Sequence, residues 1–422
     1  MSSVSAAWVV PVDGAPIENG RVVWEGNSFV AVEPGRGETH FDDAVILPGF
    51  VNAHSHLEYA VYAGFGDGLP FGPWLATHVV RKNLIGFDEM LAIARRGAAD
   101  CLASGITTAA DYSFAGAAAV AAEELGLRAT VYLEVFASEP AAAERQFTQS
   151  RARVRESELV RIGISPHAPY TCSLDVYRWC LSLGIPVGTH LAESANENEW
   201  LVHGTGPMSL NSQILVGPSG KRAVWTLEEV LGPDLLCAHC VDVDADEIAL
   251  LAGRDVPVAH CPRSNALLGC GIAPLAVLRE AGVRVGLGTD SPASTPSFDF
   301  FEELRAAVYA ARARERRPDA LTGAGALRLG TIDAARALRM DAEVGTLTPG
   351  KRADLTVVSL AGSPYHPVED PAAAVVFGGS PDRVLATIVD GHVRHRKGET
   401  EWQEVRSTAS AARQRMLAAP SP

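Results

Sequence analysis

The sequence predicts an α/β protein: a parallel (β/α)8 TIM barrel flanked by a small composite β-sandwich that both chain ends build together. Three observations predict it. Beyond Ile46, short apolar β-type segments alternate with Ala-, Leu- and Arg-rich stretches, the pattern of a parallel sheet covered by helices. Eight such segments can be counted, the number that closes a barrel. Before Ile46 and again beyond Met340 the texture changes to short strands separated by Gly-containing turns.

The opening strands are expected at Ala7 to Val10, Arg21 to Trp24 and Ser28 to Val32, punctuated by Asp13-Gly14, Asn19-Gly20 and Gly26-Asn27. The barrel strands are expected at Val45 to His56, Ile106 to Tyr112, Arg128 to Val135, Val160 to His167, Pro186 to Glu193, Leu235 to Val241, Val256 to Cys261 and Val283 to Asp290. Strands return at Leu355 to Ser359, Ala374 to Phe377 and Val384 to Val393. Neither end has enough apolar residues for a core of its own, so the two should join. The expected division is 1–46 and 341–398 for the β-sandwich, 47–340 for the barrel and 399–422 for a polar tail helix.

Composition narrows the function. The chain has 422 residues, 47% hydrophobic and 20% charged, with 50 acidic against 36 basic side chains and a formal charge of -14. A binder of phosphate backbones needs a basic face, so nucleic acid is not an expected partner. No apolar run reaches the roughly 18 residues of a membrane span, and the first residues lack a basic leader, so a cytoplasmic location is expected. Seven irregularly spaced Cys fit a reducing compartment. Cys237-x-x-Cys240 with Cys261 and Cys270 lacks the second close pair of a Cys₄ zinc site, and buried strand cysteines are the expectation.

In a barrel of this kind the reactive groups sit at the C-terminal ends of the strands. Those ends carry His54, His56, His167, His190, His239, His260 and Asp290. His54 and His56, at i and i+2 on one strand, face the same way and can share one ion. Three imidazoles with one carboxylate suit Zn²⁺ or Fe²⁺ with an open position for water. Each residue also has a structural alternative: a satisfied core histidine for His54, His56 or His239, and a turn or helix cap for Asp290. Glu193, three residues after His190, is either a proton donor beside the site or a first-turn Glu favoured by the helix dipole. Trp74 is either a stacking surface for a ring or a core aromatic.

Five ordered motifs resemble the amidohydrolase superfamily: Leu47 to His56, Gly105 to Thr108, Thr189 to Glu193, Gly286 to Asp290 and Gly345 to Leu355. The resemblance implies one bound divalent ion, Zn²⁺ or Fe²⁺, held by His54, His56, His190 and Asp290, with Glu193, His239 and Asp290 moving protons. A bridging Lys at the end of strand four, used by binuclear members, is absent, since Lys82, Lys221, Lys351 and Lys397 are the only lysines. Ser165 to Cys172 and the His-Leu-Ala-Glu stretch resemble methylthioadenosine and S-adenosylhomocysteine deaminases, which implies that His167 contacts substrate. Leu57-Glu58, His260 to Asn265 and Ser291 look more like aminodeoxyfutalosine deaminases of menaquinone synthesis. The resemblance thus implies hydrolytic deamination of an aminopurine nucleoside, with aminodeoxyfutalosine first and methylthioadenosine, S-adenosylhomocysteine or adenosine next. Other amino- or chloro-heterocycles (guanine, cytosine, s-triazines) are alternatives, and a silent binding protein is a remote one. Glu58, Trp74, His167 and Ser291 are the expected substrate contacts. The expected partners are a small amino-heterocycle or nucleoside and a second copy in a homodimer, without nucleic acid or membrane.

Overall fold

Four strands open the chain in the computed structural model, which describes residues 1–400 and 402–418: β1 (Ser2–Val9), β2 (Ile17–Glu25), β3 (Ser28–Pro34) and β4 (Thr39–Pro48). Eight more follow: β5 (Phe50–Ser55), β6 (Ile106–Ser113), β7 (Arg128–Val135), β8 (Val160–Pro166), β9 (Val187–Leu191), β10 (Leu235–His239), β11 (Val258–His260) and β12 (Val285–Leu287). Near the C-terminus come β13 (Leu355–Ser359), β14 (Val384–Val389) and β15 (His392–Arg396). The middle eight pair in chain order, each parallel to the next. A parallel bridge between Ser55 and Asp290 brings the eighth back to the first. The expected barrel is therefore present, with helices on its outside.

The two chain ends share one seven-stranded sheet, ordered β15-β14-β13-β4-β1-β2-β3. Only β1 and β4 run parallel within it. Three sequence expectations are corrected here, the first being Val384 to Val393, which is not one strand but the antiparallel pair β14 and β15, turned at Asp390-Gly391. Val45 to His56 is not one strand, because β4 belongs to the terminal sheet and β5 to the barrel. Pro48 has no N–H with which to extend a ladder. At Gly49 a Cβ would sit 2.1 Å from the Thr107 side chain, so only glycine lets the chain pass there. Ala374 to Phe377 is not a strand but part of the helix Pro371–Gly378, started by Pro371 and capped by Asp370, whose carboxylate accepts a bond from the Ala373 N–H. A short apolar run buried on all sides does not reveal its period.

The barrel lumen is filled by Val51, Ala53, Ala110, Tyr112, Tyr132, Leu236, Ala238 and Ala259, a packed interior beneath the rim. A larger cluster joins the strands to the surrounding helices, and a third fills the terminal sheet. Among the described residues no helix is long and apolar enough to cross a membrane. The helix Gln403–Ala418, expected within 399–422, buries Ala409, Ala412 and Met416. Residues 401 and 419–422 of that expectation lie outside the described residues.

A buried ion pair fastens barrel to sheet. Arg128, at the start of β7, donates through Nε and Nη2 to Asp354 at 2.8 and 3.1 Å, and through Nη2 to Asp390 at 2.9 Å. Its side chain is 3% exposed and that of Asp354 2%. Replacing Arg128 by Leu leaves buried carboxylate without its counter-charge, an expected loss of about 3–5 kcal/mol. Denaturant unfolding checks this, and Arg128→Leu combined with Asp354→Leu should recover much of the loss.

Candidate active site

The ends of the barrel strands deliver the expected side chains to one rim. There the backbone is bent unusually: Ala192, His239, Cys240 and Asp290 all have positive φ, at 50°, 78°, 48° and 57°. Non-glycine residues pay steric energy in that region, and such strain concentrates at functional sites. It turns the side chains of His239 and Asp290 inward where a regular strand would carry them past.

His54, His56 and His190 place ring nitrogens within 4.8 Å of one another, and ring nitrogens of His54 and His239 lie equally close to each other and to a carboxylate oxygen of Asp290. His56 Nδ1 lies 2.8 Å from the Tyr112 carbonyl and His190 Nδ1 lies 2.8 Å from the His167 carbonyl. A carbonyl only accepts, so both Nδ1 atoms carry the proton and both Nε2 atoms present lone pairs. Those two Nε2 atoms stand 3.2 Å apart. Neither nitrogen of His54 has a partner, although both are buried. Asp290 Oδ2 accepts bonds from Ser264 Oγ and Ser294 Oγ at 2.6 and 2.8 Å. Its other oxygen is thereby aimed at His54 Nε2 and His56 Nε2, 3.6 Å from each. Converging lone pairs and unpartnered buried nitrogens repel unless a cation lies between them. Three imidazole nitrogens and a carboxylate oxygen are a donor set for Zn²⁺ or Fe²⁺.

The electrostatics suit this. Burial drives His56 down to about 3 and His190 to about 4, and it holds His54 well below the ordinary imidazole value with help from the neighbouring histidines. The rings stay neutral and keep their lone pairs. Glu193 moves the other way: burial, then the charges of Asp290 and Glu197, hold its carboxyl well above the usual carboxylate range. It follows closely on β9 and precedes the helix Ala195–His203, capped by Ser194, whose hydroxyl accepts from the Glu197 N–H. Glu193 Oε1 lies 3.7 Å from His239 Nε2, and His239 Nδ1 is 3.1 Å from the Asn265 amide.

A cavity of about 640 Å³ opens over this cluster. His56, His167, His190, Glu193, His239, Asp290 and Ser291 line one end, and Trp74, Phe71, Phe87, Phe114 and Phe136 line its walls. Trp74 and Ser291 thus lie where substrate contacts were expected. His167 Nδ1 bonds Thr171 Oγ1 at 2.9 Å. His260 takes no place here, since it lines a separate cavity with Arg263 and Tyr309. Glu58, expected to touch substrate, is corrected: its carboxylate accepts bonds from Ser113 Oγ and from the N–H groups of Ala115 and Ala117. It fastens the start of the helix Ala117–Leu125 and does not line the cavity. Sequence reasoning passed over Glu134 and Lys82, which do line it. Glu134 could have been found as an acidic residue ending an apolar strand, whereas nothing in the sequence brings Lys82 to it.

Chelator-treated protein should take up one divalent ion per chain by metal analysis. Unfolding should then be opposed by about 4 kcal/mol once free ion exceeds its Kd a thousandfold. Asp290→Ala should lose most of that gain.

Residues 45–394 match the Amidohydrolase family model. The 5-methylthioadenosine/S-adenosylhomocysteine deaminase of Symbiobacterium thermophilum is 32% identical over 413 residues, covering 92% of each chain. The 5'-deoxyadenosine deaminase of Methanothermobacter thermautotrophicus is 32% identical over 416 residues, covering 93% of each. Among solved structures, an adenosine deaminase from Xanthomonas campestris with bound zinc superposes with a TM-score of 0.86 at 26% identity, covering 99% of this chain and 98% of that one. With the model match spanning most of the chain and these relatives along nearly all of it, the protein belongs to the amidohydrolase family and is a hydrolase.

Proposed function

We propose that this enzyme hydrolytically deaminates adenosine-type nucleosides, replacing the ring amino group by oxygen and releasing ammonia. The observation that carries the reading is Glu193, a buried carboxyl 3.7 Å from His239 Nε2 beside the cluster of histidines and Asp290, where burial pushes its pKa well above the ordinary carboxylate range. A protonated acid facing a nucleophile site is what an aminopurine needs, because its ring carbon resists attack until the adjacent nitrogen is protonated. The names of the two curated relatives put methylthioadenosine, S-adenosylhomocysteine and 5'-deoxyadenosine first. Aminodeoxyfutalosine, to which His260 to Asn265 pointed, offers the same aminopurine riboside. Glu58, which pointed there as well, is occupied as a helix cap.

In this reading His54, His56, His190 and Asp290 hold one divalent ion. When bound, that ion lowers the pKa of water and supplies a nucleophile at neutral pH. Glu193 protonates the ring nitrogen next to the amino-bearing carbon. His239 Nε2, 3.7 Å from Glu193, orients the attacking water. Asp290 Oδ1 takes a proton from that water and returns it to the departing amine, while the remaining hydroxyl proton passes back to Glu193 as the ring carbonyl forms. A carbon–oxygen bond forms and a carbon–nitrogen bond breaks, so one water is consumed and one ammonia leaves. His167, Trp74 and Ser291 bound the space for the ring, and the aromatic walls exclude bulk water.

Ammonia release from the metal-loaded enzyme tests the substrate, with methylthioadenosine, S-adenosylhomocysteine, 5'-deoxyadenosine, aminodeoxyfutalosine, guanine, cytosine and an amino-triazine compared side by side. The adenosine-type nucleosides should exceed the free bases and the triazine by at least about tenfold in kcat/KM. Silence across the panel with metal bound would remove the reading. Glu193→Gln should keep the ion and lose about 10²–10⁴ in kcat. Because Glu193 acts while protonated, wild-type kcat should fall as pH rises through its elevated pKa, and that basic limb should be missing from the variant.

A further inference from the structure

Two charged side chains on the cavity wall, Glu134 and Lys82, feel each other's charge but make no salt bridge or hydrogen bond to one another. Glu134, next to last in β7, is 5% exposed, and its Oε1 meets no donor. Lys82 ends the helix Phe71–Lys82, with its ammonium 3.9 Å from the centre of the Phe114 ring and 4.7 Å from that of Phe136. Among the described residues no carboxylate stands within 4.0 Å of that ammonium, and none accepts a hydrogen bond from it. The two aromatic faces hold the cation in place, and Glu134 favours its charged form from a distance without bonding it. Buried polar groups are nearly always bonded, so an unpaired acceptor and an unpaired donor facing one cavity mark a place where a ligand completes them.

We propose that Glu134 and Lys82 together recognise hydroxyl groups of the substrate, as a vicinal diol on a furanose ring presents them. The proposal rests on the nucleoside reading above and extends it to the sugar. The occupant has to donate to Glu134 and accept from Lys82. A hydroxyl does both. An anionic substituent satisfies Lys82 but is repelled by Glu134, and an apolar one leaves both groups unpaired. A second divalent ion is disfavoured by the Lys82 charge and by His190, whose Nδ1 proton is committed to the His167 carbonyl. The position also fits. Glu134 offers an oxygen within 4.8 Å of ring nitrogens of His167 and His190, and the Phe136 ring is centred 4.6 Å from that of His167. The couple therefore adjoins the space assigned to the reacting ring, on the side of β6 and β7.

The test compares methylthioadenosine with its 2',3'-dideoxy analogue on the metal-loaded enzyme, in wild type, Glu134→Leu and Lys82→Met. Calorimetric binding of the two corresponding inosine-type products reads recognition without turnover. The wild type should favour the riboside by about tenfold or more in kcat/KM, the scale of a hydrogen bond to a charged partner. Product binding should show the same preference, and each variant should lose most of it. Equal handling of riboside and dideoxy analogue by the wild type, in both measurements, overturns the proposal. So does a preference that survives both substitutions. If a nucleoside bearing a 5'-carboxylate gains affinity through Lys82 while the diol adds nothing, Lys82 is an anion receptor and the proposal falls. Should neither nucleoside yield ammonia while the riboside product still binds better through Glu134 and Lys82, hydroxyl recognition stands and the deaminase reading fails.

Discussion

The seam where the first and eighth barrel strands meet is the constraint on which the site depends. Asp290 N donates to the His54 carbonyl at 2.9 Å, and the Asn52 side chain bonds both the backbone N–H and the hydroxyl of Thr289, at 2.9 and 2.7 Å. Strands this close require that Gly288 lack a side chain, since a Cβ there would lie 2.8 Å from the His54 backbone nitrogen. Closing the barrel and bringing His54, His56 and Asp290 together are thus one event. A chain that failed to close would have no site, whatever its sequence motifs.

Electrostatic tuning follows from that closure. The rim is dry enough to suppress imidazolium at His54, His56 and His190 and carboxylate at Glu193. Burial raises the Asp290 carboxyl as well, but the bonds from Ser264 and Ser294 and the nearby His190 oppose that rise, and the two serine hydroxyls fix one oxygen and free the other. One buried environment therefore favours the neutral acid more strongly at Glu193 than at Asp290, whose free oxygen is left as an oriented acceptor. Separating the preferences of two nearby carboxyl groups is how a single pocket performs acid and base steps together.

The outer elements serve the rim at a distance. Arg128 joins β7 to the terminal sheet at the end of the barrel opposite the site, where its bonds serve stability. At the site's own end, Arg413 of the C-terminal helix donates to the carbonyls of Val61 and Ala63, and Arg81 donates to the Met416 carbonyl. The segment after β5, which carries Trp74 and Lys82 to the cavity, is clamped from outside by the chain's last helix. Its length would otherwise leave it mobile.

Much of the architecture was legible because its signals are local. Alternation of apolar strand and helix text identified the barrel, and His54, His56, His190 and Asp290 could be placed on one rim because each ends a strand. The i, i+2 spacing of His54 and His56 alone required a shared face. What escaped was whatever depends on neighbours distant in sequence. The break at Pro48-Gly49 follows from which sheet each half of the segment joins, and the helix Pro371–Gly378 follows from burial on all sides. Glu58 and Glu134 are both glutamates beside apolar segments, yet one caps a helix and the other faces the cavity. The sequence by itself determined the eight-stranded barrel, the histidines and aspartate of its rim and the donor chemistry. Only the tertiary structure decided which lone pairs converge, which carboxyls stay protonated and which charges lack partners, because burial and distance belong to the folded chain and not to any stretch of it.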